Sequence, residues 1–357
     1  MKKILPILFA IVIAIGCFLY AEPTQPQTAP ENVLQVHFLD VGQADCALVI
    51  FEEDAMLIDA GNNDDADTIL DYLDAYGVQQ LKYVVGTHPH EDHIGALDAV
   101  LYAVGVKNLL MPQVSTNTAS FEDVLDAAIA KSLTISAPHA GDTFYLGKAK
   151  ITAVNNYSKG DLNNASIMLH LTYGDTSFLF TGDAETDAEI AAIQTGLLLD
   201  CDILKAGHHG SSTSSSPEFL AATTPSYVVI SCGKNNDYGH PHKETLKAFE
   251  SNSSIICRTD TMGTLLATCD GTTTYWNNSS IPTLKKEPPV AQSPIEQVPI
   301  ELSPAATTYI LNTNTMKFHY PSCRSVPKIS VKNREDSTAD RNSLISAGYS
   351  PCGNCRP

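Results

Sequence analysis

The sequence is short of positive charge. Its 357 residues include 22 Lys and Arg against 40 Asp and Glu, which gives a formal net charge of -18. The shortage lies in residues 33–278, where 11 basic residues stand against 32 acidic ones and the net charge is -21. Residues 306–357 carry 7 against 3, a net charge of +4. We therefore expect the larger segment to repel polyanions at long range and the C-terminal segment to attract them.

Cysteine is too sparse for a disulfide framework. The sequence has nine, and the large segment contains an odd number, scattered through strand-like runs: Cys46, Cys201, Cys232, Cys257 and Cys269. Most of these are expected to be buried as small apolar residues. Cys257 and Cys269 flank a plausible hairpin, and whether they pair is left open.

The N-terminal segment has the pattern of an export signal. Lys2 and Lys3 precede an uncharged apolar run over residues 4–20. Three outcomes stay open for residues 1–21: cleavage after Ala21, lipidation at Cys17, or retention as a membrane anchor. Each places the rest of the chain outside the cytoplasm, with membrane contact only through this segment. Residues 22–32 contain three prolines and predict a spacer.

Residues 33–278 have the pattern of a layered α/β domain. The hydrophobic content of the chain, 43%, is ordinary for a globular core. Runs typical of strands alternate with segments of helical periodicity. The predicted strands include residues 33–39, 47–51, 56–58, 81–85, 148–154, 167–172 and 178–180. The predicted helices include residues 67–76, 96–104, 121–131 and 185–193.

The stretch at residues 87–95, Thr-His-Pro-His-Glu-Asp-His-Ile-Gly, is the most informative part of the sequence. It follows an apolar run that reads as a buried strand. In the spacing H-x-H-x-D-H, His88 and His90 can leave the loop on one side while Asp92 and His93 face a second position. Imidazoles with a carboxylate suit divalent metals, and two positions suit a metal pair. The alternative is a polar surface loop with incidental histidines.

This motif resembles the metal signature of the metallo-β-lactamase-fold hydrolases. Residues 38–45, 57–61 and 180–183 resemble further family motifs, in the family's order. Residues 204–211 and 238–242 are similar to the branch that contains the soluble domain of the DNA-uptake protein ComEC. The resemblance covers about residues 33–278 and implies an αββα sandwich. Two departures are Ala44, where that branch usually has glycine, and His90, where many members have Asp.

The resemblance also implies a two-metal site, with zinc or manganese as the ions. His88 and His90 would hold one ion, while Asp92 and His93 would hold the other. Asp183 would bridge both ions. Either His208 or His209 would complete the second position, and His209 is preferred because a glycine follows it and permits close approach.

Other positions take roles from the same resemblance. Asn164 stands where many relatives have a third histidine of the first position, so the first ion is expected to have two imidazoles, an open face and water. His170 is the competing candidate, although strand alternation favours its interpretation as a strand histidine. Asp92, His208 and His240 are the candidate catalytic residues, with His240 as a proton donor or phosphate contact; the alternative for His240 is helix capping or loop packing. Further interpretations concern residues near the motifs. Asp40 and Asp59 are interpreted as acids that hold ligand imidazoles, and His37, His139, His242 and Asp45 as structural residues.

The C-terminal part predicts a linker and a zinc module. Residues 279–305 are rich in proline and are expected to be extended. Residues 306–357 contain the pairs His319-x-x-x-Cys323 and Cys352-x-x-Cys355, which suit a closed tetrahedral zinc site. The alternative is a disulfide with a spare cysteine. The module resembles the zinc domain of the Ada DNA-methyl-repair proteins. Because His319 replaces the methyl-accepting cysteine of that family, zinc binding is expected without methyl transfer.

These observations predict an exported two-metal phosphodiesterase acting on extracellular nucleic acid. One alternative is hydrolysis of a small ester, such as a phosphorylcholine ester, a lactone or a lactam. The other is a non-catalytic adaptor that binds DNA or the cell wall. The expected partner is therefore nucleic acid or an anionic surface polymer.

Overall fold

The computed structural model describes residues 32–155, 161–284, 309–321, 323–339, 341–353 and 355. The chain separates into two compact units, Met1–Lys286 and Glu287–Pro357. The predicted export segment, nearly all of the spacer and most of the predicted linker lie outside the described residues. Within the described part of the chain, no helix has both the length and the apolar character needed to cross a membrane.

The first unit alternates strands with helices. Its strands are β1 (Leu34–Phe38), β2 (Ala47–Phe51), β3 (Asp54–Ile58), β4 (Gln80–Leu81), β5 (Tyr83–Val85), β6 (Gly105–Val106), β7 (Leu109–Leu110), β8 (Ile135–Ser136), β9 (Thr143–Leu146), β10 (Ala149–Ala153), β11 (Leu169–Tyr173), β12 (Thr176–Phe180), β13 (Ile203–Lys205), β14 (Tyr227–Ile230), β15 (Ile255–Arg258), β16 (Leu265–Cys269) and β17 (Thr274–Trp276). Its helices are α1 (Ala66–Ala75), α2 (Glu91–Ile94), α3 (Leu97–Ala103), α4 (Ala119–Ala130), α5 (Thr186–Gln194), α6 (Pro217–Thr223), α7 (Lys243–Ser251) and α8 (Thr259–Met262).

Two large sheets form the centre of this unit. One has the strand order β17-β16-β1-β2-β3-β5-β7-β8 and the other has the order β15-β14-β13-β12-β11-β10-β9. A buried apolar cluster contains residues of both sheets, including Val49, Met56, Leu171 and Phe178. The sheets therefore pack face to face, as alternating inward side chains of a layered fold require.

Helices cover the outer face of each sheet. Leu48 and Leu57 pack with α1, α3 and α4 in a second apolar cluster, while Leu204 and Val228 pack with α5, α6 and α7 in a third. The strand β2 is buried along its whole length because both of its faces are covered. The arrangement is an αββα sandwich, and the predicted fold class is confirmed.

The parallel strands bring several loops together. In the first sheet β5 lies parallel to both β3 and β7. In the second sheet β12, β13 and β14 are parallel neighbours. Because parallel strands end at the same edge of a sheet, the loops after β12, β13 and β14 emerge side by side. These loops contain Asp183, the histidine pair at 208–209 and His240.

The first unit continues beyond the boundary that the sequence suggested. Ile281 is buried and belongs to the cluster between the two sheets, and the Tyr227 hydroxyl donates a hydrogen bond to the Pro282 carbonyl. Residues 279–284, expected to be linker, therefore pack onto the large unit because Ile281 covers apolar surface there.

The second unit is a small sheet with one short helix. Its elements are β18 (Tyr309–Asn312), β19 (Lys317–His319), β20 (Arg334–Ser337), α9 (Arg341–Ser346) and β21 (Ser350–Pro351). The strand order is β20-β18-β19-β21. Its apolar residues form two small clusters, one of which contains Cys323 and Cys352.

Candidate metal centre

The loop after β5 folds back tightly enough to present three imidazoles together. His90 precedes α2, and Gly95 follows it. A side-chain Cβ at Gly95 would lie 2.3 Å from the backbone carbonyl carbon of Asn62, so this close approach requires glycine. The rings of His88 and His93 have centroids 4.1 Å apart, and those of His88 and His90 are 4.7 Å apart.

Asp183 lies at the centre of this group. It follows Gly182, whose φ of 51° and lack of space for a side chain both favour glycine. One Asp183 carboxylate oxygen is 3.2 Å from His93 Nε2. The other is 3.9 Å from His88 Nε2 and 3.7 Å from His209 Nε2. A single buried carboxylate is thus shared between imidazoles from two loops.

The ligand atoms of Asp92, His93, Asp183 and His209 all lie within 4.8 Å of one another. His93 Nε2 and Asp183 Oδ1 are fully buried, and neither makes a hydrogen bond although they are 3.2 Å apart. Buried polar atoms without partners are costly, and a divalent cation coordinated by them would remove that cost. The residues therefore fit a divalent metal, and this group is the second position of the sequence prediction.

His88 and His90, the residues predicted for the first position, lie side by side. His88 Nε2 lies 2.9 Å from His90 Nδ1. His88 Nδ1 contacts the hydroxyls of Thr87 and Ser166 at 3.3 Å each, and the Ser166 hydroxyl accepts a hydrogen bond from the Asp183 backbone N–H. Ser166 therefore orients both a candidate ligand and the shared carboxylate, a role that the sequence did not suggest.

Asn164 stands at the position of the family's third histidine, and its side chain does not line the cleft. The Asn164 amide is occupied elsewhere: its oxygen accepts hydrogen bonds from the Glu185 and Ala188 N–H groups at the start of α5, and its nitrogen donates to Asp161. Asn163 lines the metal cleft instead, with its side-chain oxygen buried and without a hydrogen-bond partner. Asn164 therefore caps a helix and offers no ligand to the first position.

Strand geometry removes the competing candidate for the same position. His170 lies on β11, and its Nε2 hydrogen-bonds with the carbonyl oxygen of Asp200 at 2.9 Å. That contact has no connection with the metal cleft, so His170 is a strand histidine.

The two consecutive histidines have different environments. His209 is buried, with Nε2 3.2 Å from Asp92 Oδ2 and Nδ1 3.1 Å from the Ser231 carbonyl oxygen. His208 is partly exposed at the rim, where Nδ1 is 3.2 Å from Glu185 and Nε2 is 3.8 Å from Asp183. His209 lies among the candidate ligands, whereas His208 is placed to meet a bound substrate.

Buried acids orient the imidazoles. Asp59 accepts hydrogen bonds from the Thr87 N–H and hydroxyl, and its Oδ2 lies 2.8 Å from His93 Nδ1. Asp45 lies 3.3 Å from His209 Nδ1 and forms a 2.7 Å ion pair with Lys205. Such outer contacts fix which ring nitrogen faces the cleft.

Two sequence interpretations of acids were wrong. Asp40 is exposed, and its carboxylate accepts a hydrogen bond from Gly42 without contacting a ligand histidine. Asp45, interpreted as structural, orients His209. The sequence analysis did not identify Lys205 as a residue of the site. Its position as a charged residue at the end of the apolar strand β13 could have indicated a buried ion pair.

The electrostatics pair buried carboxylates with buried imidazoles, and a bound metal would take the place of the protons that these pairs hold. Burial keeps the pKa of His88 well below its ordinary value, so this imidazole is neutral. Burial also acts to lower the pKa of His93, but Asp183 and Asp59 outweigh it and raise that pKa well above the ordinary value. Burial would raise the pKa of Asp183, yet His93 and His209 hold it well below its usual range. Asp183 is therefore ionised and available as a ligand.

A hydrogen-bond chain fixes the tautomer of His240. The Gly233 N–H donates to Gln43 Oε1 at 2.9 Å, which identifies the other end of that amide as the NH₂ group. This group lies 3.4 Å from His240 Nδ1, so Nδ1 accepts and Nε2 carries the proton. Burial, with His208 nearby, lowers the pKa of His240 to about 4. At neutral pH His240 is thus an uncharged donor through Nε2.

The remaining candidate, His242, is structural as predicted. Its Nδ1 accepts a hydrogen bond from the Ser212 N–H at 2.9 Å. The metal cleft itself is an open cavity of about 520 Å³. Its lining includes Gln43, His90, Asp92, Asn163, Asp183, His208, His209, Tyr238 and His240.

The second unit has its own group of candidate ligands. The ligand atoms of His319, Cys323, Cys352 and Cys355 all lie within 4.8 Å of one another. Both ring nitrogens of His319 are buried without a hydrogen bond. One imidazole and three thiols form a donor set that suits tetrahedral zinc. In the large unit, Cys257 and Cys269 are both thiols, so the pairing left open by the sequence does not occur.

Comparison with known proteins gives consistent relatives. The family model of the metallo-beta-lactamase superfamily matches residues 39–234, more than half of the chain. ComE operon protein 3 of Bacillus subtilis is 30% identical over 251 residues, which cover 65% of this chain and 32% of that protein. Competence protein ComA of Neisseria gonorrhoeae is 29% identical, covering 68% and 33%. Recombination protein 2 of Haemophilus influenzae is 27% identical, covering 64% and 28%.

The chain spans about a third of the length of these curated relatives. The matched region contains the loop after β5, the shared carboxylate and the histidine pair. The chain therefore belongs to the metallo-β-lactamase superfamily, has the fold of its metal-dependent hydrolases, and is related to competence proteins.

Proposed function

We propose that the large unit is a two-metal phosphodiesterase whose substrate is nucleic acid outside the cytoplasm. The observation that carries this proposal is the Asp183 carboxylate, which contacts imidazoles assigned to both positions: one oxygen lies 3.2 Å from His93 Nε2, and the other lies 3.9 Å from His88 Nε2 and 3.7 Å from His209 Nε2. The relatives named as competence and recombination proteins support nucleic acid as the substrate class. The apolar N-terminal run supports export.

Each side chain of the cleft has a place in this reaction. His88 and His90 would hold one ion, Asp92, His93 and His209 the other, and Asp183 both. Bound zinc or manganese would activate water and offset the charge that develops on the phosphoryl oxygens. Asp59 and Asp45 keep His93 and His209 in the orientations that leave Nε2 towards the cleft.

His208 and His240 are proposed to bind the substrate phosphate. Their rings have centroids 5.4 Å apart at the mouth of the cleft. Because Gln43 holds the proton of His240 on Nε2, this residue donates a hydrogen bond to a phosphoryl or leaving oxygen and does not act as an imidazolium acid. Of the two roles predicted for His240, phosphate contact is the one that the geometry supports.

A substrate and metal screen tests the reaction class. The purified full chain, loaded with zinc or with manganese, is assayed on a small phosphodiester, a single-stranded oligonucleotide, a lactone and a lactam. We expect cleavage of both phosphodiesters, and chelation should abolish it. Cleavage of the lactam or lactone with no phosphodiester cleavage would overturn the proposal in favour of a small-ester hydrolase. Binding of DNA without any turnover would favour an adaptor.

The C-terminal unit is proposed to retain long polyanions near the hydrolase. Six of its basic side chains are exposed: Lys317, Arg324, Lys328, Lys332, Arg334 and Arg341. Such a surface releases counterions from nucleic acid and binds it without base specificity. Replacing Lys328, Lys332 and Arg334 with Gln in the full chain should weaken binding of long DNA and lessen its salt dependence. An unchanged salt slope would favour anchoring to another surface.

A further inference from the structure

A second cavity adjoins the metal cleft. It has a volume of about 630 Å³ and shares His240 with the cleft as a common wall. The loop that follows β14 forms one side, and the end of β15 with the start of α8 forms the other. A chain-like substrate that enters the cleft past His240 would therefore extend into this space.

The lining of this cavity is positively charged within an acidic unit. Lys234 is exposed, and no side chain in the described parts of residues 32–284 forms an ion pair or hydrogen bond with its ammonium group. Arg258 donates from Nε and Nη2 to Asp260 at 2.9 and 2.6 Å, so the one carboxylate of the lining is neutralised. The lining thus has one uncompensated cation, although residues 33–278 have a net charge of -21.

The loop that separates the two cavities is held by four hydrogen bonds from two amide side chains. Asn236 donates to the carbonyl oxygens of Gly233 and His240, at 2.9 and 2.6 Å, and accepts from the His240 N–H at 3.0 Å. Gln43 holds the same loop through Gly233. Lys234 therefore starts from a fixed backbone position beside His240.

Tyr238 is an exposed aromatic side chain on the same loop. It lines the metal cleft and is 70% exposed, a high value for a ring beside a catalytic cavity. Its ring is stacked on that of His240, with centroids 5.7 Å apart and an interplanar angle of 23°. One face rests on His240, and an exposed ring of this kind can stack with a nucleobase.

We propose that Tyr238 and the adjoining cavity form a subsite for the nucleotide next to the scissile phosphodiester. Tyr238 stacks with the base of that nucleotide, and Lys234 contacts its phosphate. This assignment rests on the proposed phosphodiesterase function and deepens it. The quaternary ammonium of a phosphorylcholine ester can also contact the Tyr238 ring, but such an ester has no flanking phosphate for Lys234. The combination of the two side chains therefore favours a nucleic acid strand.

The test compares two substrates in the metal-loaded full chain, a single-stranded trinucleotide and methyl 4-nitrophenyl phosphate. Tyr238→Ala should lower the ratio of kcat/KM for the trinucleotide to that for the small diester by about 5- to 150-fold, the range of base–aromatic stacking. Tyr238→Phe keeps the ring and should restore the ratio. Lys234→Ala should lower the ratio too, and should reduce the slope of log kcat/KM against log salt by about 0.7, the value for one single-strand phosphate.

Lys247 on α7 is the matched control, since it is exposed and lines neither cavity. Lys247→Ala should leave both substrates unaffected. The subsite is overturned if Tyr238→Ala and Lys234→Ala change both substrates equally or behave as Lys247→Ala does. If the wild type cleaves neither phosphodiester, the proposed function fails. Fluorescence anisotropy of a labelled trinucleotide then tests the subsite by itself, because Tyr238→Ala and wild type would bind it equally if the subsite were absent.

Discussion

The two candidate metal sites of this protein are built in opposite ways. In the large unit the ligands come from loops after different strands, and His93, His209 and His88 contact the buried partners Asp59, Asp45 and Ser166. In the small unit the ligands come in two close pairs, and the ring nitrogens of His319 have no hydrogen bond.

The apolar cores of the two units also differ, in size. The large unit has three extensive buried clusters, one between the sheets and one on each outer face. The small unit has two clusters of only a few residues, and Cys323 and Cys352 are members of one of them. A domain of this size gains too little from burial to be secure without a staple. We therefore expect the large unit to fold with or without metal, and the small unit to need metal in order to fold.

Metal removal should have the largest effect, because we expect it to unfold only one of the two units. Structural zinc contributes about 10–16 kcal/mol in small zinc domains. A chelator should therefore unfold residues 309–355 while the large unit keeps its thermal transition. Limited proteolysis followed by mass spectrometry of the full chain measures the unfolding of the small unit, and calorimetry measures the thermal transition of the large unit. Cys352→Ser should have the same effect without chelator, and Cys201→Ser, which changes a buried thiol of the large unit, should leave the small unit protected. A small unit that resists protease in chelator contradicts the distinction.

The next largest effect should come from the shared carboxylate. Asp183→Ala disturbs both ion positions, whereas His88→Ala disturbs one. A loss of several kcal/mol of transition-state stabilisation corresponds to a fall in kcat on the order of 10³-fold for Asp183→Ala, with a smaller fall for His88→Ala. The small phosphodiester assay gives the rates, and elemental analysis gives the metal content. Equal losses in the two variants would argue against a bridging position.

Acid should destabilise the large unit through a histidine remote from the metal centre. His37 is buried against Tyr72, and burial lowers its pKa to about 4. The unfolded chain binds this proton near pH 6.5 and the folded chain does not, so stability is complete above pH 6.5 and falls as the pH drops towards 4. The total loss is about 3 kcal/mol. Urea unfolding of metal-free wild type and His37→Phe at pH 7 and pH 4 measures the contribution of His37 to the free energy of unfolding. If both proteins lose the same stability between these pH values, His37 is not the group responsible.

A smaller effect is expected from the acids behind the imidazoles. Asp59→Asn replaces the oxygen beside His93 Nδ1 with an amide and should weaken metal binding about 10- to 100-fold. The matched control is Asp40→Asn, since Asp40 follows β1 as Asp59 follows β3 but is exposed. Competition with a metal-sensitive dye measures the affinities. If Asp40→Asn weakens metal binding as much as Asp59→Asn does, buried acids do not orient the ligands of the large unit.

Much of the fold could be predicted from the sequence because its patterns are local. The strand β2 was predicted with its observed bounds, and helix α1 differed by one residue at each end. Apolar alternation and helical periodicity directly record which faces are buried. The motif at residues 87–95 also indicated two groups of ligands, since its spacing alone limits which side chains can share a side of the loop.

The errors lie where a turn decides the direction of a side chain. Asp40 and Asp45 lie in one short loop, and sequence position did not distinguish the exposed carboxylate from the buried one. Asn163 and Asn164 are adjacent, but the Asn164 side chain caps the start of α5 whereas Asn163 lines the cleft. Gln43 was within a recognised motif, but its bridge from Gly233 to His240 joins positions about 190 residues apart.

The backbone of the histidine pair has a consequence for how this protein can change. His208 and His209 have φ values of 49° and 54°, the left-handed region that costs residues with a side chain about 1–2 kcal/mol each and costs glycine nothing. A glycine at position 208 would relieve strain and remove the imidazole that lies 3.8 Å from Asp183. Selection for thermal stability alone would accept that substitution, whereas the phosphate contact proposed for His208 implies that selection for turnover would reject it. At position 208, the residue that gives the most stable turn therefore differs from the residue that the proposed reaction requires.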